Sequence, residues 1–333
     1  LFHSGPPTDD ALSRELQGLA NVSIALPDTL DTARRTIAEK ELDILFYPDI
    51  GMDPVTYFLA FARLAPVQCV TWGHPVTTGI PAIDYYLSCD AAEPDGAEAH
   101  YSERLVRLGG LPFSYRQPAR PDPLGTREDF GLADDATVYF LAQSLFKIHP
   151  DMDAPLAEIL RQDPKGVLLL LEGQQESWGE TLRQRFAETL GPLAERVAFL
   201  PRQKHDDYMR LIALADVSLD SFPFSGGNTT YQALAMGTPV VTLPGAYLRG
   251  RLSLAIYRHM GMTDCVAEDA ADYARIAVRL GTDVTYRTYI EERIAADADS
   301  IFDDPIFLED AGDFLMTAAP PGDNATQQGP DLC

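Results

Sequence analysis

The sequence predicts an α/β protein built on doubly wound parallel sheets. Three observations carry that expectation. From Thr137 onward, strand-like and helix-like runs alternate, the pattern of strands joined by crossover helices. The run "GVLLLLEG" holds a continuous apolar stretch of strand length, as in a sheet covered by helices on both faces. The stretch "DSFPFSGGNTTYQALAMG" sets glycines and capping residues between a strand ending at Asp220 and a helix, and open α/β sheets bind ligands at such carboxyl ends.

Taken in order, "TVYFLA" reads as a strand and "DMDAPLAEILRQ" as a helix, then "GVLLLLEG" as a strand and "ETLRQRFAETLG" as a helix stopped by Gly191. "RVAFLP", "ADVSLD" and "PVVTLP" read as strands. "HDDYMRLIALA", "TTYQALAMG" and "RLSLAIYRHMG" read as helices, the last stopped by Gly261. The first part of the chain is another α/β layer, shorter in strands. "IAEKELDILFYP" is a helix then a strand, "TYFLAFARLA" a helix, "PVQCVTWGHP" and "IDYYLSC" strands. Four prolines in "PFSYRQPARPDP" exclude a helix interior or central strand and mark a linker. The expected organisation is therefore 1–115, a partial N-terminal Rossmann-like domain; 116–135, a linker; 136–283, a C-terminal Rossmann-like domain; 284–318, terminal helices; and 319–333, a disordered tail. The chain begins at Leu1, inside what reads as an ongoing fold, and is expected to be a fragment of a longer protein.

Composition narrows the function. The chain has 333 residues, with 26 Lys and Arg against 50 Asp and Glu, a net charge of −24. Duplex binding needs phosphate neutralisation by cations, so no nucleic-acid partner is expected. No long uncharged apolar run is present, so no membrane span is expected. Cys69, Cys89, Cys265 and Cys333 form no CxxC pair, which suits a reduced, cytoplasmic setting. The six histidines show no HxxxH or HExxH spacing, so no metal is expected.

The candidate site follows from the strand ends. Gly226 and Gly227 let the backbone approach a phosphate. Asn228, Thr229 or Thr230 would cap the helix that follows and present donors beside its positive end. The alternative is a capped helix start without a ligand. Lys147 lies just past the first strand of the domain, in "AQSLFKIHP" with Gln143, where a lysine supplies a point charge to a diphosphate; the alternative is a solvated surface lysine. In "LPRQKHDDY", His205 and Tyr208 would stack on a base and Gln203 would offer its backbone, unless this is an ordinary helix start. Three loops on one edge point to a nucleoside diphosphate. Neither GxxxxGK[ST] nor a GxGxxG turn after the first strand is present, which argues against a P-loop or a dehydrogenase. In the first half, His74 lies past a strand in a loop shaped by Gly73, Pro75 and Gly79, and Asp49 and Asp53 lie at another strand end. For these the alternatives are structural histidine and turn or capping roles.

These residues also carry a resemblance. "DILFYPDIGMDP", "RLAPVQCVTWGHPVTTG", "IDYYLS", "YSERLVRL", "LFKIHP", "LADVSLDSFPFSGGNTT" and "GTPVVTLPG" resemble glycosyltransferase family 41. That family holds the bacterial cytoplasmic protein N-glycosyltransferases, protein O-linked N-acetylglucosamine transferase and SPINDLY-type proteins. The likeness runs from about Ala38 to Phe314. It implies a GT-B fold, two Rossmann-like domains facing a cleft, and inverting, metal-independent transfer of a sugar from a UDP-sugar to a protein side chain. The UDP-sugar is then a donor substrate, and no cofactor is implied. Lys147 matches the lysine that holds the UDP diphosphate, and Asn228, Thr229 and Thr230 match the helix-opening contacts. Gln203, His205 and Tyr208 fall on the uracil and ribose loop. His74, Gly73, Thr77, Thr78, Gly79 and Asp49 fall on the sugar or acceptor side.

The sequence also departs from the family pattern. The N-type enzymes carry a second His where this chain has Gly79, the O-type carry a His where it has Asn228, and Gln232 stands near the usual ribose-binding acid. Donor sugar (GlcNAc or glucose) and acceptor atom (Ser/Thr or Asn) therefore stay open, and any tetratricopeptide repeats would precede this chain. The rival readings are a GT-B enzyme or UDP-sugar epimerase acting on a small or glycan acceptor, and a non-catalytic nucleotide-binding module.

Overall fold

The computed structural model describes residues 1–5, 9–112 and 114–320. The chain divides into two units. One holds Leu1–Cys89, Asp95–Leu108 and the residues from Glu309 on; the other holds Asp90–Pro94 and Gly109–Leu308.

The first unit opens with β1 (Phe2–His3), α1 (Ala11–Leu19) and β2 (Ile24–Ala25), the two strands pairing in parallel. Then follow α2 (Leu30–Ala38), β3 (Ile44–Tyr47), α3 (Pro54–Leu59), β4 (Val67–Thr71), β5 (Tyr85–Cys89) and β6 (Arg104–Leu108). β3 to β6 form a four-stranded parallel sheet in sequential order. β4 and β5 are buried at every position. α3 starts where Asp53 caps it, its carboxylate accepting from the Val55 and Thr56 amides at 2.7 and 3.1 Å, with Pro54 at the first turn.

The second unit runs β7 (Thr137–Phe140), α4 (Asp153–Gln162), β8 (Gly166–Leu171), α5 (Glu176–Thr189), β9 (Val197–Leu200), α6 (His205–Leu214), β10 (Val217–Leu219), α7 (Asn228–Ala235) and β11 (Val240–Val241). α8 (Leu252–His259), α9 (Ala270–Thr282) and α10 (Val284–Asp297) follow, and α11 (Ile306–Thr317) runs from this unit into the first. The five strands are parallel in the order β11-β10-β7-β8-β9. That order reverses direction between β7 and β10, so the topological switch point lies at their carboxyl ends.

Packing explains why the order holds. Leu168, Leu169 and Leu170 of β8 are at most 1% exposed, each burial contributing about 1.5–3 kcal/mol. On α9, Tyr273, Ala274, Ile276, Ala277 and Leu280 are buried, the i, i+3, i+4, i+7 face of an amphipathic helix. At the amino edge of the sheet, Asp216 accepts from Arg127 at 2.8 Å and lies 3.2 Å from Arg287, while its Oδ2 accepts the Val138 amide at 2.8 Å. Charge there is closed on itself.

The proline-rich stretch expected as a linker belongs to the second unit. Tyr115 stacks on Tyr231 with centroids 4.6 Å apart, and Arg120 donates to the Met236 carbonyl at 3.2 Å. Of the tail expected at 319–333, only Ala319 and Pro320 fall among the described residues, and the Ala319 carbonyl accepts from Tyr85 at 2.7 Å. Cys69, Cys89 and Cys265 are buried; Cys333 lies outside the described residues. Among the described residues no helix is long and apolar enough to cross a membrane.

Candidate functional site

The switch point brings the loop after β7 against the loop after β10. Gln143, 8% exposed, donates from Nε2 to Thr229 Oγ1 at 2.7 Å. One hydrogen bond thus ties the first loop to the first turn of α7. Gly226 is required where these groups converge, since a Cβ there would meet Thr229 Oγ1 at 2.3 Å and Gln143 Nε2 at 2.5 Å. Lys147 closes a single 3-10 turn, Leu145–Lys147, and its Nζ lies 4.4 Å from the centre of the Phe224 ring, in the loop that leads into α7. Burial holds the Lys147 ammonium below the usual lysine range, and the Asp220 carboxylate opposes that shift.

The helix opening differs from the expectation in one respect. The cap is Gly227, and no side chain closes it. Asn228 is the first helical residue and is exposed, Thr229 is second, and Thr230 is buried with its hydroxyl 2.7 Å from Ser253 Oγ. With glycine at the cap, the positive end of α7 is left without a side-chain acceptor.

A pocket of about 380 Å³ opens beside this point, lined by Gln143, Phe146, Glu172, Trp178, Arg202 and Tyr208 among others. Tyr208 donates to Gln232 Oε1 at 3.3 Å, and Phe146 meets Trp178 edge-on at 5.1 Å. The structure therefore brings together Gln143, Tyr208 and Gln232 with the α7 opening. It does not bring His205, which opens α6 on a separate pocket with Pro118, Arg120, Met209 and Arg210. The Gln203 side chain bonds back to the Pro201 carbonyl at 2.7 Å.

The first unit has its own strand-end pocket, of about 450 Å³, lined by Ile50, Met52, Tyr57, Phe58, His74 and Thr77 among others. Gly51, at φ +99°, makes room for the His74 ring, whose Cδ2 would lie 2.6 Å from a Cβ there. Gly73 is equally constrained, its Cβ position falling 1.9 Å from the Pro48 carbonyl oxygen. Glu103, 5% exposed, holds the next loop: it accepts from Thr77 Oγ1 at 2.7 Å, from the Thr78 amide at 2.8 Å and from the Thr78 hydroxyl. Gly79 follows at φ +65°. Asp49 does not line the pocket; burial, and then the neighbouring Asp53, push its carboxyl above the usual range. Among the described residues no three His, Cys, Asp or Glu side chains converge as a metal would require.

The sequence profile of glycosyl transferase family 41 matches residues 117–307. The chain belongs to glycosyltransferase family 41. Among its relatives in family 41, the protein named probable UDP-N-acetylglucosamine–peptide N-acetylglucosaminyltransferase SPINDLY from Solanum lycopersicum is 33% identical over 228 residues, 67% of this chain. The UDP-glucose:protein N-β-glucosyltransferase of Actinobacillus pleuropneumoniae is 28% identical over 253 residues, 74% of this chain. This chain spans 24% and 39% of their respective lengths. A mutant of the O-GlcNAc transferase from Thermobaculum terrenum superposes with a TM-score of 0.82 at 29% identity, over 94% of this chain and 60% of that one. Anabaena HepE in complex with UDP and glucose superposes at 0.62 and 14% identity, over 93% and 90% of the two chains, a likeness of fold alone. The family 41 chain has the GT-B fold that the resemblance implies.

Sequence reasoning missed Trp178, Phe146, Glu172 and Arg202 in the pocket, and Asp220 and Glu103 beneath the loops. For Asp220 a signal was present: a carboxylate ending a strand whose other residues are buried. For Trp178 none was, since its place depends on where α5 begins.

Proposed function

We propose that this chain carries the donor site and catalytic part of a glycosyltransferase that moves a sugar from a UDP-sugar to a protein side chain, by inverting displacement and without a metal. The observation that carries the reading is the Gln143–Thr229 hydrogen bond across the switch point, with Lys147 packed over the loop that enters α7. A diphosphate leaving group gains negative charge as the glycosidic bond breaks. An ammonium, the amides of a helix start and a side-chain amide aimed at one place stabilise that charge without rearranging. The neighbouring pocket, with Tyr208, Trp178 and Phe146, has aromatic faces for a base and a volume that suits a nucleoside.

In the first unit, His74 is proposed as the acceptor-side catalytic group, with Asp49, Gly73, Thr77, Thr78 and Gly79 forming its surroundings. The names of relatives support two donors, UDP-N-acetylglucosamine and UDP-glucose.

The test is incubation with each UDP-sugar and candidate protein acceptors, read by intact-protein mass spectrometry. Added mass of one hexose or one N-acetylhexosamine on the acceptor is the expected result. UDP binding by calorimetry with no transfer to any protein would instead favour a nucleotide-binding module, and no UDP binding at all would overturn the reading.

A further inference from the structure

Asp220 directly follows β10 and is 2% exposed. The loop that starts there returns to it six residues later. Oδ1 accepts the Gly226 amide at 2.6 Å, and Oδ2 accepts the Ser225 hydroxyl at 2.7 Å and the Thr242 hydroxyl at 2.7 Å. The Asp220 carbonyl accepts from Tyr273 at 2.8 Å. Around this carboxylate the hydroxyls continue: Ser225 Oγ lies 3.0 Å from Ser253 Oγ, and Ser253 Oγ lies 2.7 Å from Thr230 Oγ1. The Ser225 amide is held from the other side by the Arg249 carbonyl at 2.7 Å.

Two of the three carboxylate donors belong to the turn itself. An aspartate serving only the sheet would bond to neighbouring strands alone; this one, besides Thr242 after β11, bonds to Ser225 and Gly226, the residues just before the Gly227 cap. A buried carboxylate is unfavourable unless donors and a counter-charge accompany it. Here three donors converge on it, opposing the burial that pushes its carboxyl above the usual range.

We propose that Asp220 is a positioning residue for the diphosphate subsite: through its bonds to Ser225 and Gly226 it fixes the turn that aims the α7 amides. The inference rests on the donor-site reading above, and it concerns a group that does not touch the donor. It separates the two halves of a nucleotide. The turn and Lys147 address phosphate; the pocket of Tyr208 and Trp178 addresses the nucleoside. Loss of Asp220 weakens the first and spares the second.

The experiment titrates UDP and uridine separately into the chain and its variants, by calorimetry for UDP and by Trp178 fluorescence or ligand NMR for uridine. In D220N the dissociation constant for UDP is expected to rise about 10- to 100-fold, the equivalent of leaving buried donors short of an acceptor, with that for uridine unchanged. T242V is expected to give a smaller rise for UDP only, and T242S, which restores the hydroxyl, to recover it. If D220N does not fold by circular dichroism, the Thr242 pair decides by the same criterion. Equal UDP affinity in wild type and variants overturns the positioning role, as does a parallel loss of UDP and uridine. Failure of the wild type to bind UDP overturns the donor-site reading on which the proposal rests.

Discussion

Two strand ends, one in each unit, share a plan and differ in charge. In both, parallel strands deliver loops to their carboxyl edge, and in both a buried carboxylate holds a loop from beneath: Asp220 under Ser225 and Gly226, Glu103 under Thr77 and Thr78. Above those loops the chemistry diverges. The second unit presents Lys147 and the uncapped start of α7. The first presents an imidazole, an apolar wall of Ile50, Met52, Tyr57 and Phe58, and the raised carboxyl of Asp49 nearby. One edge suits an anion; the other suits a neutral group that must lose a proton. The same backbone topology serves both, and the side chains at the strand ends decide which.

The contrast can be broken most directly at Lys147. K147M is expected to lower transfer about 100- to 1,000-fold, the loss typical when one donor to developing charge is removed, and to weaken UDP by about 2–5 kcal/mol. Single-turnover kinetics and calorimetry read the two effects; unchanged turnover at saturating donor would remove Lys147 from the mechanism. H74A is expected to lower transfer about 100-fold, the lower end for losing a general base, while UDP affinity stays as in wild type. A matching loss of UDP affinity would mean that the two edges are not chemically separate.

Smaller effects sharpen the comparison. G73A forces a methyl onto the Pro48 carbonyl and is expected to destabilise the chain by about 2–4 kcal/mol in urea unfolding. E103Q leaves donors of the 77–78 loop without their charged acceptor, at about 1–3 kcal/mol, again without effect on UDP affinity. The last effect is in pH. Folded Lys147 sits below the usual lysine range, and a bound diphosphate returns its proton. UDP affinity is therefore full at pH below the depressed value and falls as pH rises through it. The Lys147 contribution to the stability of the unliganded chain moves oppositely over that window, rising with pH because the unfolded chain binds more protons at this group. Both contributions should appear as the difference between wild type and K147M titrated in parallel.

Much of this was legible in the sequence. The five strands from Thr137 to Val241 announce themselves as apolar runs bounded by turn residues, because a parallel sheet buried on both faces leaves no room for polar alternation. Gly226 was legible because few other residues could occupy so close an approach. α9 was passed over although Asp269 caps it and its apolar face is regular; the pattern was present and unread. β6, "RLVRL", interrupts its apolar residues with two arginines and carries no buried run. β1 and β2 are two residues each, too short for any period to register. At the site, Lys147 and Gln143 follow from their place after a strand. The choice of Tyr208 over His205 for the pocket does not, because it depends on the face that α6 turns to β7, where Tyr208 meets Phe140 at 6.2 Å. The hydroxyl cluster around Asp220 draws on Ser253 and Thr242, more than twenty residues away, a pairing only the folded chain can make.

The measurement that bears most directly on the central claim is a crystal structure of this chain with UDP. The account places the diphosphate about 3 Å, hydrogen-bond distance, from both Lys147 Nζ and the backbone amides that open α7, with the uracil beside Tyr208 and Trp178. A diphosphate seated elsewhere, with Lys147 still folded over Phe224 and the α7 amides facing solvent, would contradict it.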